Sequence, residues 1–156
     1  MARVNVGIDP KVLSDQHLIA ESVELTMITG SLRVNDYKIK SKIPTEFTLG
    51  KGHMNFFKDK LIYLHNRLEA VNSEMQDRGF SPGTHINLKE FPKNLLNNWK
   101  PTSTATLIVR ERVIERLIKP KSGKKGEEYH RYCSKVIGRR LHRFCTNVLN
   151  SELHYV

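Results

Sequence analysis

Six apolar residues, Phe57, Leu61, Leu64, Leu68, Val71 and Met75, follow one another at spacings of four, three, four, three and four. That rhythm matches the turn of an α-helix, so the segment predicts a helix with one core-facing stripe. Phe and Met at this spacing are core residues, not a cofactor box. Gly79, directly after Arg78, is the residue type that ends such a helix. A second stripe, Leu18, Leu25, Ile28 and Leu32, predicts an earlier helix. It begins after Ser14, whose hydroxyl can accept a first-turn N–H, and runs to about Gly30 or a little beyond. A third helix is expected over about 104–118, stopped by Pro120, with Leu107, Ile114 and Leu117 or Ile118 facing inward. A fourth, over about 127–150, gathers Tyr129, Cys133, Val136, Ile137, Leu141, Phe144 and Val148 on one broad side. The fold class is therefore all-α. Residues 1–156 form a compact single-domain bundle of three main helices plus a basic C-terminal helix, and 119–126 is a basic linker.

Between the helices the chain is irregular. Residues 3–8 alternate apolar and polar until Asp9-Pro10 breaks them. The turn Gly50-Lys51-Gly52-His53 lacks the spacing of a Walker loop, so its glycines serve loop geometry or cradle a phosphate. His53 can touch phosphate, cap the following helix or pack. Residues 80–103 hold Pro82, Gly83, Pro92 and Pro101 and read as a long connection anchored by Phe91, Leu95, Leu96 and Trp99. Long connections of this kind are often functional.

Composition excludes several classes. Hydrophobic residues make up 38% of the 156, and no apolar run is long enough to cross a bilayer. Asp9 and Pro10 interrupt any signal-peptide pattern, which leads us to expect a cytoplasmic protein. Cys133 and Cys145 are the only cysteines, too few for a disulfide scaffold. None of the seven histidines pairs with cysteine at zinc-ligand spacing, so neither metal nor cofactor is expected. The net charge is +10, and residues 101–150 carry twelve Lys and Arg against four Glu and no Asp. Such a surface attracts polyanions, nucleic acid first among them, with an anionic membrane or an acidic protein as alternatives. Arg112 and Arg116 stand one turn apart, a spacing suited to two neighbouring phosphates or to a salt-bridge net with Glu115. On the fourth helix Arg131, Lys135, Arg139 and Arg143 lie mostly outside the apolar side.

The chain start carries its own chemistry. Ala2 is small enough to permit removal of Met1, which leaves a free α-amino group on Ala2. Such an amine titrates near ~7.7–8.0, against ~10.4 for lysine, so much of it is nucleophilic at neutral pH. It can attack an electrophilic carbon and form a Schiff base, with a nearby carboxylate stabilising positive charge or moving protons. Most chain termini are instead frayed and inert. His17, Glu21 and Glu24 share one face of the first helix, which is either catalytic or simply solvated.

Several stretches together resemble a known family. Ala2-Arg3-Val4-Asn5, Asp15-Gln16-His17-Leu18 with Ala20-Glu21 and Glu24-Leu25, the run Phe47-Thr48-Leu49-Gly50-Lys51-Gly52-His53-Met54-Asn55-Phe56-Phe57-Lys58-Asp59-Lys60-Leu61, and Arg78-Gly79-Phe80 are similar to the phage and viral pyrimidine-dimer DNA glycosylases of the endonuclease V type. The likeness covers about residues 2–118 and, more weakly, 129–137. It implies a compact helical bundle in which the N-terminal amine attacks the sugar C1′ of a damaged nucleotide. The glycosidic bond breaks, an imine forms and the strand is cut by β-elimination. By motif, the amine is that of Ala2 and the essential glutamate is Glu24. Arg3, Gln16 and His17 match residues that line the site or hold the DNA, and Arg112 and Arg116 match basic positions on the third helix. The family's C-terminal segment is echoed by His130-Arg131-Tyr132-Cys133-Ser134-Lys135, with Arg131 and Lys135 as its cations. The implied partner is double-stranded DNA, damaged or modified, bound by a monomer in the cytoplasm (the host's, for a viral protein), with no membrane and no metal.

The chain departs from the family pattern beside the glutamate. Val23 and Met27 stand where the pattern has arginines, Ser22 where it has tyrosine, and Ala2 where threonine is usual. Alanine serves as well as threonine, because the reacting atom is the backbone nitrogen. Three functions stay open: a glycosylase–lyase on a dimer or another damaged base, a non-catalytic DNA-binding relative, and a basic module for an acidic protein. A glycosylase of this kind would flip its target nucleotide out of the duplex.

Overall fold

The central stripe does form a helix, and it decides where everything else sits. The computed structural model describes residues 3–118. Met1, Ala2, the expected linker 119–126 and the expected helix 127–150, with Arg131 and Lys135, lie outside the described residues. Helix α1 spans Asp15–Val34, a single turn α2 spans His53–Phe56, α3 spans Leu61–Asp77, and α4 spans Ser103–Ile118. Short 3-10 turns occupy Pro10–Val12, Leu88–Glu90 and Lys93–Leu95. Among the described residues there is no strand, so the fold is all-α with three main helices.

Local chemistry sets the helix ends. Ser14 caps α1, its Oγ accepting the His17 N–H at 3.2 Å. Gly30 does not stop the helix; Leu32 is fully buried and carries it to Val34. At the far end of α3, Gly79 takes φ +84°. Its N–H donates to the Gln76 carbonyl at 2.8 Å, and that of Phe80 donates to Met75 at 2.9 Å. This paired closure is what a left-handed glycine after a helix allows. The stripe opens less regularly: Phe57 belongs to the link between α2 and α3, and regular helix starts at Leu61.

Helix α1 packs chiefly on α3, with Leu18, Leu25, Ile28 and Leu32 against Leu61, Leu64, Leu68 and Val71. Phe91 and Leu95 plug the connection before α4 into this core, and Leu96 and Trp99 pack on its edge. Helix α4 turns a different face inward than its sequence suggested. Ala105, Val109 and Val113 are buried, while Leu107 is 49% exposed and Ile114 only half-buried. The cause is close approach to Gly7. A Cβ there would fall 2.1 Å from Thr106 Oγ1, so α4 lies against bare backbone and buries its small residues. Long side chains on that face would hold the two segments apart.

The first residues are the least expected part of the core. Val4 and Val6 are fully buried, and Asn5 and Ile8 nearly so, although no regular element contains them. Two arginines, Arg67 within α3 and Arg78 at its C-cap, hold this arm in place. Arg67 donates through NH1 to the Ile8 carbonyl at 2.6 Å. Arg78, 0% exposed, donates to the Pro10 and Lys11 carbonyls at 3.3 and 3.1 Å. It also pairs with Asp15 at 3.0 Å and Glu74 at 2.7 Å. A buried guanidinium is tolerated only when its donors are met in this way.

Candidate active site

The pinned arm delivers Arg3 to the middle of α1. Arg3 NH1 lies 3.9 Å from Glu24 Oε1, and its Nε donates to the Leu49 carbonyl at 2.7 Å. The next residue is fixed as well. The Val4 N–H donates to His53 Nε2 at 3.0 Å, and His53 Nδ1 meets the Thr48 carbonyl at 2.7 Å. These two partners define a neutral imidazole with its proton on Nδ1. Burial pulls the His53 pKa down to about 4; the Thr48 bond opposes that pull, and Arg3 and Arg112 add to it.

Glu21 and Glu24 share the α1 face expected of them, yet neither is solvated. Their environments differ. Glu21 is saturated: it accepts the Asn5 N–H at 3.1 Å, Asn5 Nδ2 at 2.9 Å, and Arg67 through Nε at 2.6 Å and NH2 at 3.1 Å. Glu24 is 3% exposed, and its Oε1 has no hydrogen-bond partner among the described residues. Burial pushes the Glu24 carboxyl above its ordinary range, while Arg3 and Arg112 pull against that rise. Buried carboxylate oxygens are normally hydrogen-bonded, and exceptions concentrate where chemistry is done.

Helix α4 supplies further charge. Arg112 lies near enough to act on both Glu24 and His53, and its own pKa is lowered by burial and by Arg116 and Arg3 beside it. Arg3, Glu24, Arg112 and Arg116 thus form one cluster. Gln16 and His17 are half-buried at the start of α1. His17 lies two turns from Glu24 on the same face, roughly 10 Å along the axis, with its Nδ1 3.0 Å from Ser14 Oγ. Among the described residues no three of His, Cys, Asp and Glu converge as metal ligands, and no helix is long and apolar enough to cross a membrane.

The sequence did not single out Arg67, Asn5 or the anchoring role of His53. A signal existed for the first: Arg67 falls beside Leu64, Leu68 and Val71 on the core-facing side of α3.

A buried acid with an oxygen that no described residue hydrogen-bonds, beside Arg3 and Arg112 on an all-helical scaffold, makes a cationic cluster suited to an anionic ligand. Residues 1–88 match the family described as pyrimidine dimer DNA glycosylase, and the chain belongs to that family. Its class is therefore that of a DNA-repair glycosylase, and DNA is its substrate.

Proposed function

We propose that the chain is a DNA glycosylase with abasic-site lyase activity, using the α-amino group of Ala2 as nucleophile and Glu24 as its acid–base partner. The observation that carries this reading is the Glu24 oxygen that no described residue hydrogen-bonds, beside Arg3, the residue that follows Ala2. Burial of Val4, Asn5, Val6 and Ile8 supports it, because a frayed start would need no such anchoring.

The amine adds to C1′ of the target nucleotide, and the C1′–N bond breaks with its electron pair leaving on the base, which takes up a proton. The C1′–O4′ bond then opens to give an iminium, with a proton delivered to O4′. Glu24 stabilises the iminium as a carboxylate and carries protons as an acid. Loss of a C2′ proton expels the 3′-phosphate by β-elimination, and water hydrolyses the imine to free the amine. Arg3, Arg112 and Arg116 hold flanking phosphates. Gln16 and His17 line the edge of the site, and Arg131 and Lys135 extend the phosphate contacts. The substrate is double-stranded DNA with a damaged or modified base, bound by a monomer.

The test is borohydride reduction during incubation with duplexes bearing a pyrimidine dimer or an abasic site. A covalent adduct that maps to Ala2 by mass spectrometry, and that vanishes when the terminus is acetylated, is expected. DNA binding with no adduct on either duplex would establish the non-catalytic DNA-binding reading instead. Failure to bind DNA at all would leave the acidic-partner reading.

A further inference from the structure

Two consecutive amides of the arm are held by side chains of different elements. The Asn5 N–H donates to Glu21 of α1, whose charge is paired with Arg67. The Val4 N–H donates to His53, the first residue of α2, across 49 positions of chain. The imidazole is itself fixed. It is 2% exposed, its Nδ1 meets the Thr48 carbonyl at 2.7 Å, and Phe47 and Phe57 make T-shaped contacts with it at centroid distances of 5.5 and 5.4 Å. The next carbonyl, that of Leu49, accepts Arg3 Nε. One short loop thus grips both the backbone and the side chain of the chain start.

We infer that His53 is a positioning residue for the reacting amine: by holding the Val4 N–H, its Nε2 fixes where the Ala2 nitrogen meets its target carbon. Two residues separate the held amide from that nitrogen, a span of at most about 7 Å. So short a tether passes a shift at Val4 on to the amine, and a misplacement of about 1 Å at a reacting atom can cost 10²-fold in rate. His53 acts through Val4 and not on the substrate. A neutral acceptor suits the place. A carboxylate there would stabilise the ammonium form of the amine and compete with phosphates for Arg3 and Arg112 beside it. Glu21 can hold Asn5 as a carboxylate because Arg67 grips both of its oxygens. Both amides are therefore pinned without an uncompensated negative charge beside the nucleophile.

The inference rests on the amine reading, and borohydride trapping on an excess of abasic duplex tests the two separately. Amide side chains dissect the ring, because Asn places its polar atoms near Nδ1 and Gln near Nε2. His53→Asn keeps a partner for the Thr48 carbonyl and loses the acceptor for Val4; His53→Gln does the reverse. At saturating DNA the trapping rate constant is expected to fall about 10–100-fold in His53→Asn. His53→Gln is expected to recover most of that loss. Affinity for a duplex with a non-cleavable abasic analogue should be unchanged in both, because no cation is removed. A fold defect would lower the final adduct yield and leave the rate constant of the folded fraction as it was. If His53→Asn does not fold, His53→Phe, which keeps the ring packing and lacks the acceptor, gives the same comparison. A rate constant in the acceptor-less variant equal to wild type, or an equal loss in His53→Gln, overturns the positioning role and leaves the amine reading standing. A wild-type protein that forms no adduct overturns the amine reading, and the inference with it.

Discussion

Glu21 and Arg67 face each other in a two-pronged ion pair, Nε to Oε1 at 2.6 Å and NH2 to Oε2 at 3.1 Å, with almost no solvent contact. The same carboxylate holds Asn5, and the same guanidinium holds the Ile8 carbonyl. One buried pair therefore ties α1, α3 and the chain start together. Removing one partner strands a charge in the core, a loss of about 3–5 kcal/mol. Arg67→Met is expected to lower stability by that amount in urea unfolding. Replacing both as Glu21→Leu/Arg67→Met is expected to recover much of it. Equal losses in the single and double variants would show that the pair is not what stabilises this junction.

The logic of this junction was partly legible beforehand. Leu18, Leu25, Ile28 and Leu32 leave a gap at position 21, where the stripe calls for a core residue and Glu21 stands. Arg67 sits just as oddly on the core side of α3, and Arg78 prolongs its stripe beyond Met75 by three. Opposite charges on two facing stripes imply pairing. The helices themselves were readable because each stripe is set by local period. The inward face of α4 was not, because it depends on Gly7, nearly one hundred positions away in the chain. Nor could periodicity separate Glu21 from Glu24. They share a helix face, and only the partners brought by Asn5 and Arg67 distinguish a saturated carboxylate from an unsatisfied one.

Gly7 governs how close α4 comes to the arm. Its φ is +71°, and a Cβ would meet Thr106 Oγ1 at 2.1 Å and Thr106 Cβ at 2.9 Å. Gly7→Ala meets both backbone strain and a clash, and a loss of about 2–3 kcal/mol is expected. Because α4 carries Arg112, displacement there also reaches the Glu24 cluster. Adding Thr106→Ala, which removes the clashing atoms except Cβ, is expected to restore part of the stability, measured by thermal unfolding. No rescue would mean that strain at Gly7, not contact with α4, sets the cost.

Glu24→Gln keeps the side-chain shape and removes the charge. Cleavage of abasic duplexes is expected to fall by about 10²–10⁴-fold, the usual worth of a positioned acid–base group. Affinity for the same DNA should hold or rise, since a negative charge has left a phosphate-binding cluster. The buried carboxyl titrates above its ordinary value. The wild-type rate, which needs both the neutral amine and the carboxylate, is therefore expected to fall with decreasing pH in two steps, the first near ~7.7–8.0 from the Ala2 amine and the second from Glu24, above the usual carboxylate range. A second step that persists unchanged in Glu24→Gln would remove Glu24 as its source.

His53 makes the arm sensitive to acid. Folded, its pKa is about 4, and unfolded it returns to ~6.5. Between those values the unfolded chain binds a proton that the folded chain refuses, so stability is complete above pH ~6.5 and declines as pH falls toward 4. Over that span the loss amounts to about 3 kcal/mol. The physical event is specific: a protonated Nε2 can no longer accept the Val4 N–H, and the new charge faces Arg3 and Arg112, with Glu21 the compensating acid among the described residues. His53→Gln cannot take up that proton, so its urea midpoint is expected to change less between pH 6.5 and 4 than the wild type's. Amide exchange at Val4 should accelerate over the same interval in the wild type. Parallel pH dependence in the two proteins, with Val4 exchange unmoved, would show that His53 does not titrate as its bonds to Val4 and Thr48 require.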